Sequence, residues 1–186
     1  MPLSFPNVGI QSISLRLKRA VAVTSSPFTF DQQVFQHQGA IWEAEVSLPP
    51  LSHAEARSVE AFIVGLKGRS GTFTFNHPLH TSTASVITAG TGAVRSETLT
   101  STAGSSAVEA GTYFQAGNYL YMVTSDKAAG VATLSFQPPL RTAVQHATVL
   151  NFSSPKSLFR LASNDIGWST DIASMYGFSF AFTEAL

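Results

Sequence analysis

The sequence predicts a mainly β fold in which one α-helix covers a sheet and a small β module is inserted before the last strands. Three observations carry this. Residues 12–24 alternate apolar and polar with period two. Residues 39–76 spell out strand, capped helix and strand. Residues 77–111 then become rich in Ser, Thr, Gly and Ala before strand signals resume, so the chain makes an excursion from which it must return.

At 186 residues the chain suits one domain, or one domain with a compact insertion. Charged residues make up 12% of it, about half the usual share, against 44% hydrophobic. A low-charge chain rich in Thr and Phe favours sheets. It also implies that other protein subunits, rather than water, cover part of the surface. Eleven basic and eleven acidic residues are scattered without runs. The basic stripe of a nucleic-acid surface and the polybasic patch of a membrane surface are both missing. There are no cysteines, which excludes disulfides and thiolate metal sites and fits a cytosolic folding compartment. MPLSFPNVGIQ is not a signal peptide, since no basic segment leads into an apolar core. No apolar run approaches the roughly 20 residues of a membrane span, so no membrane insertion is expected.

In order, Pro2, Pro6 and Gly9 predict an extended arm over residues 1–9 rather than a packed element. Ile13, Leu15, Leu17, Val21 and Val23 share one strand parity, with Arg19 the misfit, which predicts a long half-buried strand. Ser25-Ser26-Pro27 breaks it. Residues 28–37 read as a second, less regular strand, with Gln38-Gly39 as a turn. In the next strand Trp42, Ala44, Val46 and Leu48 face one way, and Glu43, Glu45 and Ser47 the other. Pro49-Pro50 ends it, because proline cannot donate to a ladder.

The helix is predicted over about residues 52–67. Ser52 as N-cap and Glu55 three residues later make a capping box. Val59, Phe62, Ile63 and Leu66 fall on one face, and burying them contributes about 6–10 kcal/mol before entropy. Gly68 is placed for the left-handed position after the helix. A strand over 72–75 follows, in which Phe73 and Phe75 alternate with threonine.

Short strand signals at 84–88 and 97–101 begin the inserted module. Gly-bounded strands over 111–136 form its clearest part, with Tyr119, Tyr121 and Val123 alternating with Leu120 and Met122 and a hairpin return from Val131. Pro138-Pro139-Leu140-Arg141 closes it. Strand candidates at 147–151 and 157–162 return the chain. The closing strand, 175–184, sets Tyr176, Phe178, Phe180 and Phe182 on one face, a row that belongs in a core or a subunit interface.

No catalytic, cofactor or metal site emerges. His77 and His80 are three apart but have no third ligand or flanking acid, so they read as turn histidines around Pro78. Glu43 and Glu45 read as a solvated strand face, or one that meets basic residues of a neighbouring subunit. GTGAV and GRSG lack the lysine and the spacing of a phosphate loop, and no G-x-S-x-G elbow exists. The sequon at Asn151 has no force without a secretion signal. Trp42 has core parity. Trp168, following Gly167 in a loop, is the better candidate for a sugar or partner contact.

The composite of Trp42, Leu48-Pro49-Pro50, Phe62, Leu66, Gly68-Arg69 and Gly71-Thr72-Phe73 resembles the core of distal tail (Dit-like) proteins of long-tailed bacteriophages. The run 111–141 resembles the inserted module of the same proteins, and FRLA with the terminal strand resembles their ending. The likeness spans most of the chain and is weakest over 1–12 and 80–110. It implies a tail-tube-like β-sandwich or split barrel, built from residues 1–79 and 148–186, with 80–147 as a peripheral insertion. It further implies a virion protein of the tail tip, assembled in the bacterial cytoplasm as a homo-oligomeric ring, normally a hexamer. Such a ring joins the tail-tube protein to the tail hub and carries tail-tip or fibre proteins, and viral DNA passes through its lumen. The chain leaves no room for the C-terminal galectin-like domain of larger members, so sugar binding through such a domain is not expected. A tail-tube or other tail-tip ring subunit is the near alternative. A free carbohydrate-binding β module is the alternative of a different class.

Overall fold

The computed structural model describes residues 2–76, 82–170 and 176–186. The chain forms β1 (Leu3–Ser4), β2 (Ser12–Ser25), β3 (Gln32–Ser47), helix α1 (His53–Leu66), a 3-10 turn at Gly68–Ser70 and β4 (Phe73–Asn76). Then come β5 (Val86–Ile87), β6 (Thr98–Thr100), β7 (Tyr113–Ala116), β8 (Tyr119–Val123), β9 (Thr133–Gln137) and β10 (Val149–Leu150). The last strands are β11 (Lys156–Leu161), β12 (Ser169–Thr170), β13 (Tyr176–Gly177) and β14 (Ser179–Glu184). The protein is mainly β with one covering helix, as expected.

The principal sheet has six strands in the order β1-β4-β11-β14-β3-β2. Its inner face buries Trp42, Ala44, Val46, Phe73, Phe75, Phe159, Phe180 and Phe182. These are the period-two positions of four strands, and the aromatic ones lock edge to face. Phe73 meets Phe182 at 5.3 Å and 82° and Phe62 at 5.3 Å and 86°.

Helix α1 covers part of this face because Ala56, Val59, Ile63 and Leu66 are buried on one stripe. Ser52 and Glu55 form the capping box, and the Glu55 carboxylate accepts from the Ser52 N–H (3.1 Å) and hydroxyl (2.7 Å). Those two bonds hold the Glu55 carboxyl below its ordinary range. Gly68 takes the left-handed position after the helix, as expected. Lys67 is already left-handed (φ 51°), and Gly68 follows it at φ 67° into the 3-10 turn. Gly71 is required too, by close approach, since a Cβ there would lie 2.4 Å from the Leu66 carbonyl oxygen.

Phe62 is half-buried rather than buried, and Ala56 takes the innermost place near the start of the helix. The N-terminal arm accounts for this. It is not a free arm. β1 pairs in parallel with β4, and Phe5 packs on Phe62 at 5.5 Å and on Phe75 at 5.2 Å. Phe62 is therefore roofed by the arm instead of sunk into the core. Phe62→Ala is expected to cost about 2 kcal/mol in chemical denaturation, against about 3–5 kcal/mol for the fully buried Phe73→Ala. Equal losses would mean that the arm does not pack as described. Ser52→Ala is expected to cost about 1 kcal/mol.

The module has its own core of Val86, Leu99, Phe114, Tyr121, Val123, Leu134, Phe136, Leu140, Leu150 and Phe152, among others. Its sheet runs β6-β9-β8-β7, and β5 pairs with β10 beside it. The expected return to the main body at 148 comes later. β10 pairs within the module, so its core extends through Phe152. β8 explains its unbroken apolar run. Tyr121 and Val123 face the module core, while Leu120 and Met122 face the core of the principal sheet. A strand covered on both faces has no need of polar positions.

The second strand and its turn are also corrected. β3 runs without a break from Gln32 to Ser47, and Gln38-Gly39 lies inside it. Arg19 faces Ala40 and Val21 faces Gln36, so Ala20 alone lies against His37, Gln38 and Gly39. This irregularity absorbs the glycine, and the true turn lies at 26–31. The closing strand likewise divides at Phe178 into β13 and β14. Its expected start at Met175, and the His77–His80 pair, lie outside the described residues.

Candidate assembly interface

The long β2–β3 hairpin is only half attached to the body. Ile13, Leu15 and Leu17 pack against the principal core, opposite Val46, Ala44 and Trp42. Beyond Lys18 every hairpin residue as far as Gly39 is exposed, apart from a half-buried Ser26. At about 3.3 Å per residue the overhang reaches about 20 Å past the sheet. Val21 and Val23, expected to be half-buried, stand in solvent on one face with Val34, while Phe35 points from the other. Phe28 is 91% exposed and Phe30 is 80% exposed at the tip. Asp31 is the only Asp, Glu, Lys, Arg or His between Arg19 and His37.

The tip is ordered by its own bonds. The Ser26 N–H donates to the Asp31 carbonyl at 2.9 Å, and the Phe30 N–H donates to the Ser26 carbonyl at 3.0 Å. Ser26 Oγ accepts from the N–H groups of Phe28 (3.3 Å) and Thr29 (3.4 Å). Phe30 is held at φ 59°, an uncommon conformation for a bulky residue. Left in water, an apolar and almost uncharged projection of this kind is an aggregation hazard.

The sheet face opposite the helix is polar. Arg16 meets Glu43 at 3.1 Å and Glu45 at 3.7 Å, and Lys18 meets Glu43 at 3.2 Å. The two glutamates thus find their basic partners on β2 of the same chain. Such exposed pairs stabilise the fold little. These four charges cancel, while Arg160 of β11, on the same face beside Thr183, makes no ion pair among the described residues; the Lys18 hydrogen bond is foremost in holding the Glu43 carboxyl low.

A buried polar joint fastens the module to the sheet. The Trp42 indole N–H donates to the Leu120 carbonyl at 2.9 Å. Arg141 Nη2 donates to Glu184 Oε2 at 2.9 Å and to the Ala40 carbonyl, while the Trp42 N–H reaches the same Glu184 oxygen at 3.2 Å. Burial pushes the Glu184 carboxyl up, against the pull of Arg141. The Arg141 N–H donates to the Tyr121 hydroxyl at 3.0 Å, and burial pushes that phenol up to about 12. Within the module, buried Lys127 donates to the carbonyls of Ser106 (2.9 Å) and Ala128 (2.8 Å), with its pKa lowered by burial.

The residues singled out from sequence are structural. Trp42, Val59, Ile63 and Leu66 are buried in the principal core, Phe62 lies at its rim, and Ser52, Glu55 and Gly68 sit at the helix ends. None of them belongs to the overhang. Among the described residues no group of three or more His, Cys, Asp or Glu is placed to hold a metal ion. Phe28 and Phe30 carry no spacing signal beyond flanking Pro27, and Arg141 with Glu184 lies 43 residues apart. No protein-family model matches the chain, and no curated protein matches it.

Proposed function

We propose that this chain is a structural ring subunit at the distal end of a bacteriophage tail, joining the tail tube to the tail hub and carrying tail-tip or fibre proteins. The observation that carries the assembly part is the β2–β3 overhang, with Phe28 and Phe30 exposed at an ordered tip. A projection from one edge of the sheet meets a different surface on the next copy. Such head-to-tail contacts close into rings when the rotation permits. The resemblance of the Trp42–Phe73 segment and of the module to distal tail proteins supports the placement in a virion tail.

The test is sedimentation and negative-stain microscopy of the purified chain over a rising concentration series. Closed rings are expected, and a monomer that persists at the highest concentration overturns the reading. In phage particles carrying a label on the module, signal at the tail end alone is expected. Signal along the whole tail would assign the chain to the tube instead.

A further inference from the structure

We propose that the cleft beside Trp168 binds a neutral sugar, an activity beyond the assembly role. The cleft has a volume of about 580 Å³ and lies at the end of the principal sheet opposite the hairpin tip, where β3 finishes and β14 begins. That volume falls in the range of small-ligand sites. Trp168 is 43% exposed there, although large aromatic side chains usually find cover. Its ring leans on Phe178 at 6.3 Å and 31°, and Phe178 stacks on Phe180 at 6.0 Å. Both phenylalanines are buried in the principal core, so the exposed indole is a platform anchored from below.

Around this platform Gln11, Ser47, Ser169 and Ser179 are among the residues that line the cleft. None of the four makes a side-chain hydrogen bond among the described residues. Hydroxyls and a primary amide each donate and accept, which is what a ring of sugar hydroxyls requires. The C–H face of a pyranose supplies the flat apolar surface that packs on an indole. Among the described residues no ionisable side chain lines the cleft. A sialylated, uronic or phosphorylated sugar would bring a charge with nothing to pair it, so the chemistry selects a neutral hexose or N-acetylhexosamine.

The test uses the intact chain on an array of neutral hexose and N-acetylhexosamine oligosaccharides, with sialylated and uronic ones alongside. The strongest neutral binder is then titrated while acrylamide quenches tryptophan fluorescence. Trp42 is buried, so quenching reports Trp168. Bound sugar is expected to shield Trp168, and added salt is expected to leave the affinity unchanged. Trp168→Ala is expected to weaken binding by about tenfold or more, with Trp168→Phe retaining part of it. The Phe28 and Phe30 positions lie at the far end of the hairpin, so their variants should bind sugar normally even where self-association is lost. The proposal is overturned if no neutral glycan binds, if only anionic ones do, or if Trp168→Ala binds as the wild type does. Loss of self-association in Trp168→Ala, with no shielding by any sugar in the wild type, would make the cleft a protein interface. The shielding measurement needs no variant, so an unfolded Trp168→Ala leaves the proposal decidable.

Discussion

Replacing Arg141 by methionine is expected to cost about 3–5 kcal/mol at neutral pH, because it strips a fully buried carboxylate of its counter-charge. Glu184 has no exposed side-chain surface, and its Oε1 atom has no hydrogen-bond partner among the described residues. Burial already raises its pKa in the wild type. The stability linked to this group is therefore fully present below the ordinary carboxylate range and falls as pH rises through the folded-state value. Arg141 limits that fall, and removing it enlarges the fall. The deficit of Arg141→Met should consequently shrink as pH drops and the carboxyl takes up its proton. Chemical denaturation at neutral and mildly acidic pH measures it. A deficit that stayed constant, or grew in acid, would mean that Glu184 is not the buried charge Arg141 serves.

Changing Phe28 and Phe30 together to serine is expected to abolish self-association while leaving the thermal melt of the monomer unchanged. Both side chains lie almost wholly in solvent, so the isolated fold loses nothing by their removal. As central anchors of an interface they are each worth about 2 kcal/mol or more, and their joint loss weakens assembly by about a hundredfold or more. Sedimentation of the variant beside the wild type decides. Rings formed at unchanged concentration would remove the tip from the interface.

The helix and its neighbours are legible because their signals are local. A capping box, a 3.6-residue stripe and a double-proline stop each act within a turn or two, and all appear where Ser52 to Leu66 predict them. The alternation that marks Leu15 and Leu17 as inward marks Val21 and Val23 equally well. Period two records which residues share a face, not whether this chain supplies anything to cover it. The overhang is thus written in the sequence as core and found in the structure as surface. Gln38-Gly39 misleads for a related reason, since a glycine that serves a bulge looks the same in sequence as one that serves a turn. Phe62 fits the helical stripe, and only the packed arm, unpredicted because of its prolines, shows why it stays at the rim. Arg141 and Glu184 meet through tertiary folding alone. In the Trp168 cleft the tryptophan after Gly167 is visible in the sequence, whereas the serines gathered around it come from three separate segments.

The inserted module leaves the principal sheet at β4 and returns at β11, and these are adjacent antiparallel strands with Asn76 opposite Lys156. Everything between them is formally one enormous hairpin loop. Bringing distant positions together is entropically slow work for a bare chain. Here a smaller pairing, Val86 with Leu150, draws the two stems together just inside the junction. The folded module then acts as a clasp that delivers β4 and β11 to each other as near neighbours. The order of events that follows is module first and central sheet second. Pulse-labelled hydrogen exchange should find the β8 and β9 amides protected before those shared by β4 and β11, and the reverse order would show that the sheet closes without its clasp.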